Sequence, residues 1–184
     1  MTNKERFVTL CNGIHREGIT DLMNWLERSD FYTAPASSRF HLCCEGGLLQ
    51  HSLHVYDELK RLLTVYPEIK VSEETILITS LFHDLCKVNC YKAEKKIEPS
   101  FFGWVEQRTS YTRKEELHYG GHGSKSVYLI QKFMKLTDEE AVAINCHMSC
   151  WDGDKSVGDA FAQFPFAWLL HVADESATYL RESN

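Results

Sequence analysis

Apolar residues recur at intervals of three and four along most of this chain, which places them on one face of an α-helix. The pattern predicts two short amphipathic helices over residues 4–15 and 20–27, and a longer helix over residues 48–65. The buried stripe of the longer helix comprises Leu48, Val55, Leu59 and Leu62. Its predicted polar face comprises Gln50, Asp57, Glu58 and Arg61. These segments are expected to form a helical scaffold.

A second group of helices is predicted further along the chain. Ser72 is a suitable N-cap for a helix that is apolar nearly all round, as a central buried helix is. One further helix is predicted from His122 to about residue 136, and another is predicted over residues 166–180. Between them, a capping box at residues 137–140 predicts the start of a third helix. The predicted fold class is therefore an all-α helical bundle.

Two segments interrupt the helical pattern. Residues 31–41 contain a proline and small polar side chains without periodicity, so they are expected to form an extended connector that completes an N-terminal region of residues 1–45. Residues 91–118 are rich in charged and aromatic side chains, and weak alternation predicts a small β-hairpin at about residues 100–115. We expect this insertion either to cover a pocket or to be a solvated segment without a role.

Composition favours one domain that spans residues 1–184, because 43% of its residues are hydrophobic and can form a substantial core. A net charge of −6 argues against nonspecific duplex binding but leaves room for a local cationic pocket. The absence of long apolar runs predicts a cytoplasmic protein that does not enter a membrane. The seven cysteines form no Cys-x-x-Cys pair, which favours reduced thiols.

Candidate chemistry begins where the apolar central helix ends in His83-Asp84, followed by Lys87. Residues three and four apart share a helix face, so Lys87 is expected to lie beside both metal-capable side chains. A buried carboxylate without a partner would be strongly destabilising. The sequence therefore predicts that these residues have partners elsewhere in the chain.

Four other residues offer metal-binding side chains at inward-facing positions. His51 lies on the buried stripe of its helix, and His147 lies near the end of the helix that follows the capping box. His122 is bracketed by glycines at a predicted helix start, and Asp174 interrupts the apolar run of the last helix. Taken singly, each residue also has an ordinary interpretation as a hydrogen-bonded core histidine or a paired aspartate.

Taken in this order, the residues resemble the pattern of the HD-domain metal-dependent phosphohydrolase superfamily. The matching segments are Gly-Gly-Leu-Leu-Gln-His51, His83-Asp84-Leu-Cys-Lys87, Gly-His122-Gly, His147 and Val-Ala-Asp174-Glu. The resemblance runs from about residue 22 to residue 180. It is nearest to small bacterial and prophage HD proteins and to the HD part of bacterial 3′-5′ exoribonucleases.

The resemblance implies a metal pocket between facing helices. It implies that a first ion is held by His51, His83, Asp84 and Asp174. It also implies that Asp84 bridges to a second ion completed by His122 and His147, so that one or two ions bind. These ligand types suit Mn, Fe, Ni, Co or Zn, with Mg as the remaining alternative.

The implied reaction is hydrolysis of a phosphate ester by a metal-activated water, with Asp84 and Lys87 as the catalytic residues. The enzyme would be a phosphomonoesterase or phosphodiesterase acting on a nucleotide, another small phosphate ester or a short single-stranded nucleic acid. Lys87, Arg39 and His41 are the candidate substrate contacts, although Arg39 and His41 also suit a surface arginine and a satisfied histidine. The alternative function is a nucleotide-sensing module with little or no turnover.

Overall fold

The computed structural model of the protein describes residues 1–99, 105–114, 119–149 and 156–182. Over these ranges the chain is mostly helical, with one two-stranded antiparallel sheet, in agreement with the expected all-α class with a hairpin. The α-helices of the described chain are α1 (Asn3–Cys11), α2 (Ile19–Glu27), α3 (Gly47–Val65), α4 (Glu73–Phe82), α5 (His122–Gln131), α6 (Asp138–Cys146), α7 (Val157–Gln163) and α8 (Pro165–Ser176). The strands are β1 (Tyr91–Pro99) and β2 (Val105–Arg113), and two short helical turns cover Leu85–Lys87 and Ala177–Arg181.

Local capping explains where several helices begin. The Ser72 hydroxyl accepts a hydrogen bond from the backbone N–H of Thr75, so the predicted N-cap of α4 is confirmed. The predicted capping box of α6 is also confirmed, because Thr137 and Glu140 each bind the other's backbone N–H. These caps satisfy amide groups that have no partner within a helix.

Helix α4 is the central element, as its apolar sequence predicts. Every residue from Thr75 to Phe82 is buried. Helix α3 packs against α4 and α8, and α6 packs against α8 and α5. One connected hydrophobic core runs through these helices, and its largest fully buried side chains are Phe7, Phe31, Phe82 and Phe166. The ends of α4 and α8 are thereby brought close to His51, in the N-terminal part of α3.

The hairpin begins earlier in the chain than predicted. Its antiparallel register runs from Tyr91 opposite Arg113 to Pro99 opposite Val105, so the first strand precedes the expected range of residues 100–115. The first strand contains three lysines and two glutamates, and its alternation of apolar and polar residues is too weak to be recognised. Residues 100–104 and 115–118 of the predicted insertion lie outside the described residues.

Several predicted helix details are also corrected. Helix α5 ends at Gln131 rather than near residue 136, and α8 ends at Ser176, with a π-helical turn taking the chain to Arg181. Glu58 is buried rather than part of the polar face of α3, because Arg61 and Arg181 each donate a hydrogen bond to its carboxylate. None of the helices within the described ranges is long and apolar enough to cross a membrane.

Candidate metal centre

Four helices place five buried metal-capable side chains around one point. His51 lies within α3, and Asp174 lies near the end of α8. His83 and His147 are the C-cap residues of α4 and α6, and Asp84 directly follows His83. All five residues are less than a tenth exposed. The structure therefore brings together five of the six metal ligands that the resemblance implies.

The facing atoms of this cluster are the imidazole Nε2 atoms and the carboxylate oxygens. His51 Nε2 lies 3.0 Å from Asp174 Oδ1 and 3.6 Å from Asp84 Oδ2. His83 Nε2 lies 3.5 Å from the same Asp84 oxygen and 3.4 Å from His51 Nε2. His147 Nε2 lies 3.6 Å from the other oxygen of Asp84, Oδ1. The two oxygens of Asp84 therefore face different histidines.

Hydrogen bonds on the opposite side of each ring fix its orientation. His83 donates its Nδ1–H to the carbonyl oxygen of Ser80 at 2.9 Å, and His147 donates its Nδ1–H to the carbonyl oxygen of Ile144 at 2.6 Å. Carbonyl oxygens only accept hydrogen bonds, so Nδ1 must carry the proton in both rings. In each ring, Nε2 is consequently the nitrogen directed at the carboxylates, as is usual for a metal-binding histidine.

The electrostatics of the cluster favour a bound cation. Burial lowers the pKa of His83 to about 4, so its ring is neutral at pH 7 and its Nε2 lone pair faces Asp84 and Asp174. Although burial opposes ionisation, Lys87 holds the pKa of Asp84 well below its usual range, and His51 does the same for Asp174. Two ionised carboxylates, each already paired with a cation, and the nitrogen lone pair of His83 thus converge. Carboxylate oxygens and imidazole nitrogens are ligand atoms that divalent transition metals bind.

When no ion is bound, a proton occupies one of the nitrogens that face the cluster. Although burial lowers the pKa of His51, hydrogen bonds to Asp174 and Glu182 raise it to about 9, so the ring is a cation at pH 7. Metal binding must displace the Nε2 proton, as it does for any histidine ligand. His147 Nε2 is buried and lies 3.6 Å from Asp84 Oδ1, too far for a hydrogen bond, and no other described residue is its hydrogen-bond partner. Such an atom is destabilising unless a ligand satisfies it.

The separations between these atoms fit a shared divalent ion. Ligand atoms held about 2.1 Å from one ion lie roughly 3.0 Å apart at right angles and roughly 3.4 Å apart in a tetrahedron. The facing atoms of the cluster are separated by 3.0 to 3.9 Å. Three groups of described residues place their ligand atoms within 4.8 Å of one another: the first contains His51, His83 and Asp174, the second contains His83, Asp84 and His147, and the third contains His41, His51 and Glu182. The cluster can therefore bind a metal ion.

Among the described residues, Lys87 is the only lysine or arginine that forms a salt bridge with a carboxylate of the cluster. Its Nζ lies 2.5 Å from Asp84 Oδ2, and the contact raises the pKa of Lys87 although burial acts in the opposite direction. Helix α4 ends at Phe82, before it reaches Lys87. The 3₁₀ turn at Leu85–Lys87 nevertheless keeps the Lys87 side chain beside Asp84, which lies three residues earlier in the chain. The predicted proximity of Lys87 to Asp84 is confirmed, and its proximity to His83 stays a prediction.

The sixth implied ligand, His122, takes no part in the groups of potential ligands that the described residues form. Among the described residues, it belongs to no group of three potential ligands whose binding atoms lie within 4.8 Å of one another. Its Nε2 lies 3.4 Å from Arg113 Nη1 on β2. Gly123 holds α5 tightly against α6, because a Cβ at this position would lie 2.3 Å from the carbonyl oxygen of Asn145. The structure therefore does not pair His122 with His147 as the expected second metal site requires.

Glu182 is a site residue that the sequence interpretation missed. Its carboxylate accepts hydrogen bonds from His51 Nδ1 at 3.1 Å and from His54 Nδ1 at 2.8 Å, and it lies 4.0 Å from His41 Nε2. The His54 side chain is 22% exposed. Glu182 lies beyond the predicted end of the last helix and has no periodicity to identify it. The available signal was that His51 and His54 share one helix face and can share a partner.

A cavity of about 800 Å³ opens beside the cluster. Asp174 and Lys87 contribute to its wall, and so do Arg39, His41 and His122. Burial lowers the pKa of His41 to about 4, so this ring is neutral at pH 7. The wall also contains three aromatic side chains, which are Phe40, Tyr91 and Tyr179. The predicted substrate contacts thus share one cavity with part of the metal cluster.

Comparison of the chain with protein-family models, curated proteins and solved structures finds no match. The chemical interpretation of the site therefore rests on its residues and their geometry.

Proposed function

We propose that the protein is a metal-dependent phosphohydrolase that cleaves phosphate ester bonds in nucleotides or short single-stranded nucleic acids. The observation that carries the proposal is the convergence of histidine Nε2 atoms on the two oxygens of Asp84, beside a cavity that also contains Lys87. The ordered motif that resembles the HD superfamily supports the same function and an HD-type helical fold.

The proposed metal ligands are His51, His83, Asp84 and Asp174, with His147 on the second oxygen of Asp84. A bound divalent ion supplies a more acidic water and polarises a phosphoryl oxygen. Imidazole and carboxylate ligands favour Mn, Fe, Co, Ni or Zn over Mg. The two oxygens of Asp84 face different histidines, and this arrangement supports the proposal that the Asp84 carboxylate could contact two ions.

Phosphate recognition is assigned to the cations of the cavity. The protein has a net charge of −6, yet Lys87, Arg39 and Arg113 all contribute to the wall of this one cavity. Lys87 is held against Asp84 and lies where it can neutralise charge that develops on a phosphoryl group. Arg39 and Arg113 can position the phosphate by hydrogen bonds from their guanidinium groups.

An aromatic group on the substrate is supported by the exposed side chain of Phe40. Phe40 is 82% exposed at the cavity, an unusual position for a large apolar residue. Its loop is closed by a hydrogen bond from the Ala36 N–H to the Leu42 carbonyl oxygen, and Ser37 Oγ accepts from the Phe40 N–H. A base stacked on such a ring gains about 1 to 3 kcal/mol of binding energy.

The test begins with metal analysis of the purified protein. Chelated protein is then reloaded separately with each candidate metal and assayed with nucleoside monophosphates, an aryl phosphodiester and short single-stranded RNA. His83→Ala and Asp84→Ala should lose both metal and turnover while circular dichroism still reports a helical protein. Nucleotide binding without turnover under every metal would contradict the hydrolase and favour the nucleotide-sensing alternative.

A further inference from the structure

Glu182 is a buried carboxylate that contacts the site from outside the set of proposed metal ligands. Its side chain is fully buried, and no lysine or arginine of the described chain forms a salt bridge with it. Its partners are instead imidazoles, namely His51, His54 and the more distant His41. A buried carboxylate whose hydrogen-bond partners are imidazoles fixes the orientation of the rings that donate to it.

The contact with His51 fixes which ring nitrogen faces the cluster. His51 Nδ1 lies 3.1 and 3.2 Å from the two carboxylate oxygens of Glu182, and its Nε2 lies 3.0 Å from Asp174. An ionised carboxylate only accepts hydrogen bonds, so His51 must donate from Nδ1. Nε2 is then the nitrogen available to an ion, and the hydrogen bond to a carboxylate increases its basicity.

Neighbouring contacts hold Glu182 in place relative to His51. The adjacent Arg181 donates hydrogen bonds to Glu58 at 2.6 Å and to Asp57 at 3.4 Å, and both acceptors lie on α3 with His51. His54, one turn beyond His51 on the same helix, donates to Glu182 Oε1 at 2.8 Å. The last residue of the π-helical turn, Arg181, and the residue that follows it, Glu182, therefore both attach the end of this segment to α3.

We infer that Glu182 is a positioning residue for the metal ligand His51. The inference rests on the proposed function, because it assumes that His51 binds the ion. It adds a residue outside the matching motif, and it assigns to the turn after α8 a role in metal affinity. Loss of comparable carboxylate partners of ligand histidines weakens metal binding about 10- to 100-fold.

Cobalt titration of the full chain tests the inference, because visible absorption reports both the affinity and the ligand geometry of Co²⁺. Glu182→Ala should weaken Co²⁺ binding about 10- to 100-fold and alter the visible spectrum. Glu182→Gln should show an intermediate affinity, because its amide oxygen still accepts the bond from Nδ1–H. The matched control is Glu175→Gln, which makes the same charge change in the same cavity and should bind Co²⁺ as the wild type does.

The outcomes separate this inference from the proposed function. Wild-type protein that binds no Co²⁺ would overturn the metal-dependent function and the positioning role together. Wild-type binding that Glu182→Ala leaves unchanged in affinity and spectrum would overturn the positioning role alone. If Glu182→Ala fails to fold, as judged by circular dichroism, Glu182→Gln becomes decisive, and wild-type affinity in that variant would overturn the inference.

Discussion

Replacing Lys87 with methionine removes a buried charge while preserving the length of the side chain. The Lys87 ammonium lies 2.5 Å from Asp84 Oδ2, and both residues are buried. Breaking such a pair by removing one partner is destabilising by about 3 to 5 kcal/mol, because the other charge stays buried. For a chain of this size, that loss corresponds to about 6 to 20 °C in Tm. The metal-free Lys87→Met protein should show this full effect.

Metal-saturated protein should lose much less stability from the same substitution. An ion bound by Asp84 supplies the positive charge that the substitution removes, so the carboxylate is no longer unpaired. The assay is thermal unfolding of wild type and Lys87→Met, each with a chelator and with saturating Mn²⁺ or Zn²⁺. Lys60→Met is the control, because Lys60 forms an exposed pair with Glu73 at 2.6 Å. That pair should contribute less than about 1 kcal/mol under both conditions.

Equal destabilisation of Lys87→Met with and without metal would refute the assignment of Asp84 as a metal ligand. Unchanged stability in the chelator would refute the buried ion pair itself. Turnover provides a further readout, because Lys87→Met should retain its metal and still hydrolyse substrate more slowly. An unchanged rate would remove Lys87 from the proposed chemistry.

Four other substitutions test separate parts of the structure. His147→Ala should lower the metal content, counted by anomalous diffraction, because it removes the histidine that faces Asp84 Oδ1, whereas His122→Ala should keep its metal and mainly raise KM. Phe40→Leu should raise KM for nucleoside monophosphates but not for glycerol phosphate, while Tyr128→Leu, an exposed aromatic change outside the cavity, should alter neither. Burial raises the pKa of Glu74, but hydrogen bonds from the His15 backbone and the Arg16 side chain outweigh burial and hold the pKa below its ordinary value. The ionised Glu74 carboxylate therefore stabilises the folded protein at pH values above its ordinary pKa, and this contribution is lost as the pH falls through the lowered pKa. Glu74→Gln should therefore be less stable than wild type at neutral pH, and the deficit should shrink in acid unfolding curves.

The sequence predicted the site best where a polar or charged residue interrupts an otherwise apolar helix face. An apolar run that ends in His83-Asp84 predicted a buried metal-capable pair, and both residues are buried at the end of α4. The same reasoning identified His51, His147 and Asp174 as polar side chains on apolar faces, and the fold brings all five residues together. Patterns of burial are visible in one sequence because each helix repeats them every turn.

Features set by long-range contacts were not visible in the sequence. The first strand of the hairpin lacks clear alternation, so only its pairing with β2 identifies it. His122 matched the expected motif, but the packing of Gly123 against α6 and the contact with Arg113 place it in the cavity wall. The absence of a side chain at Gly123 permits the close packing of α5 on α6.

The same distinction explains why some parts of the site were easier to predict than others. His83 and His147 each follow the last residue of a helix, where the final backbone carbonyls have no helical partner. Each ring donates Nδ1–H to the carbonyl three residues earlier, so its orientation is built from local sequence. His51 lies inside α3, where carbonyls are already used within the helix. Its Nδ1–H must find an acceptor elsewhere, and that acceptor is Glu182, 131 residues away in the chain. A ligand histidine at a helix end can be oriented locally, whereas one inside a helix requires a distant partner that periodicity cannot reveal.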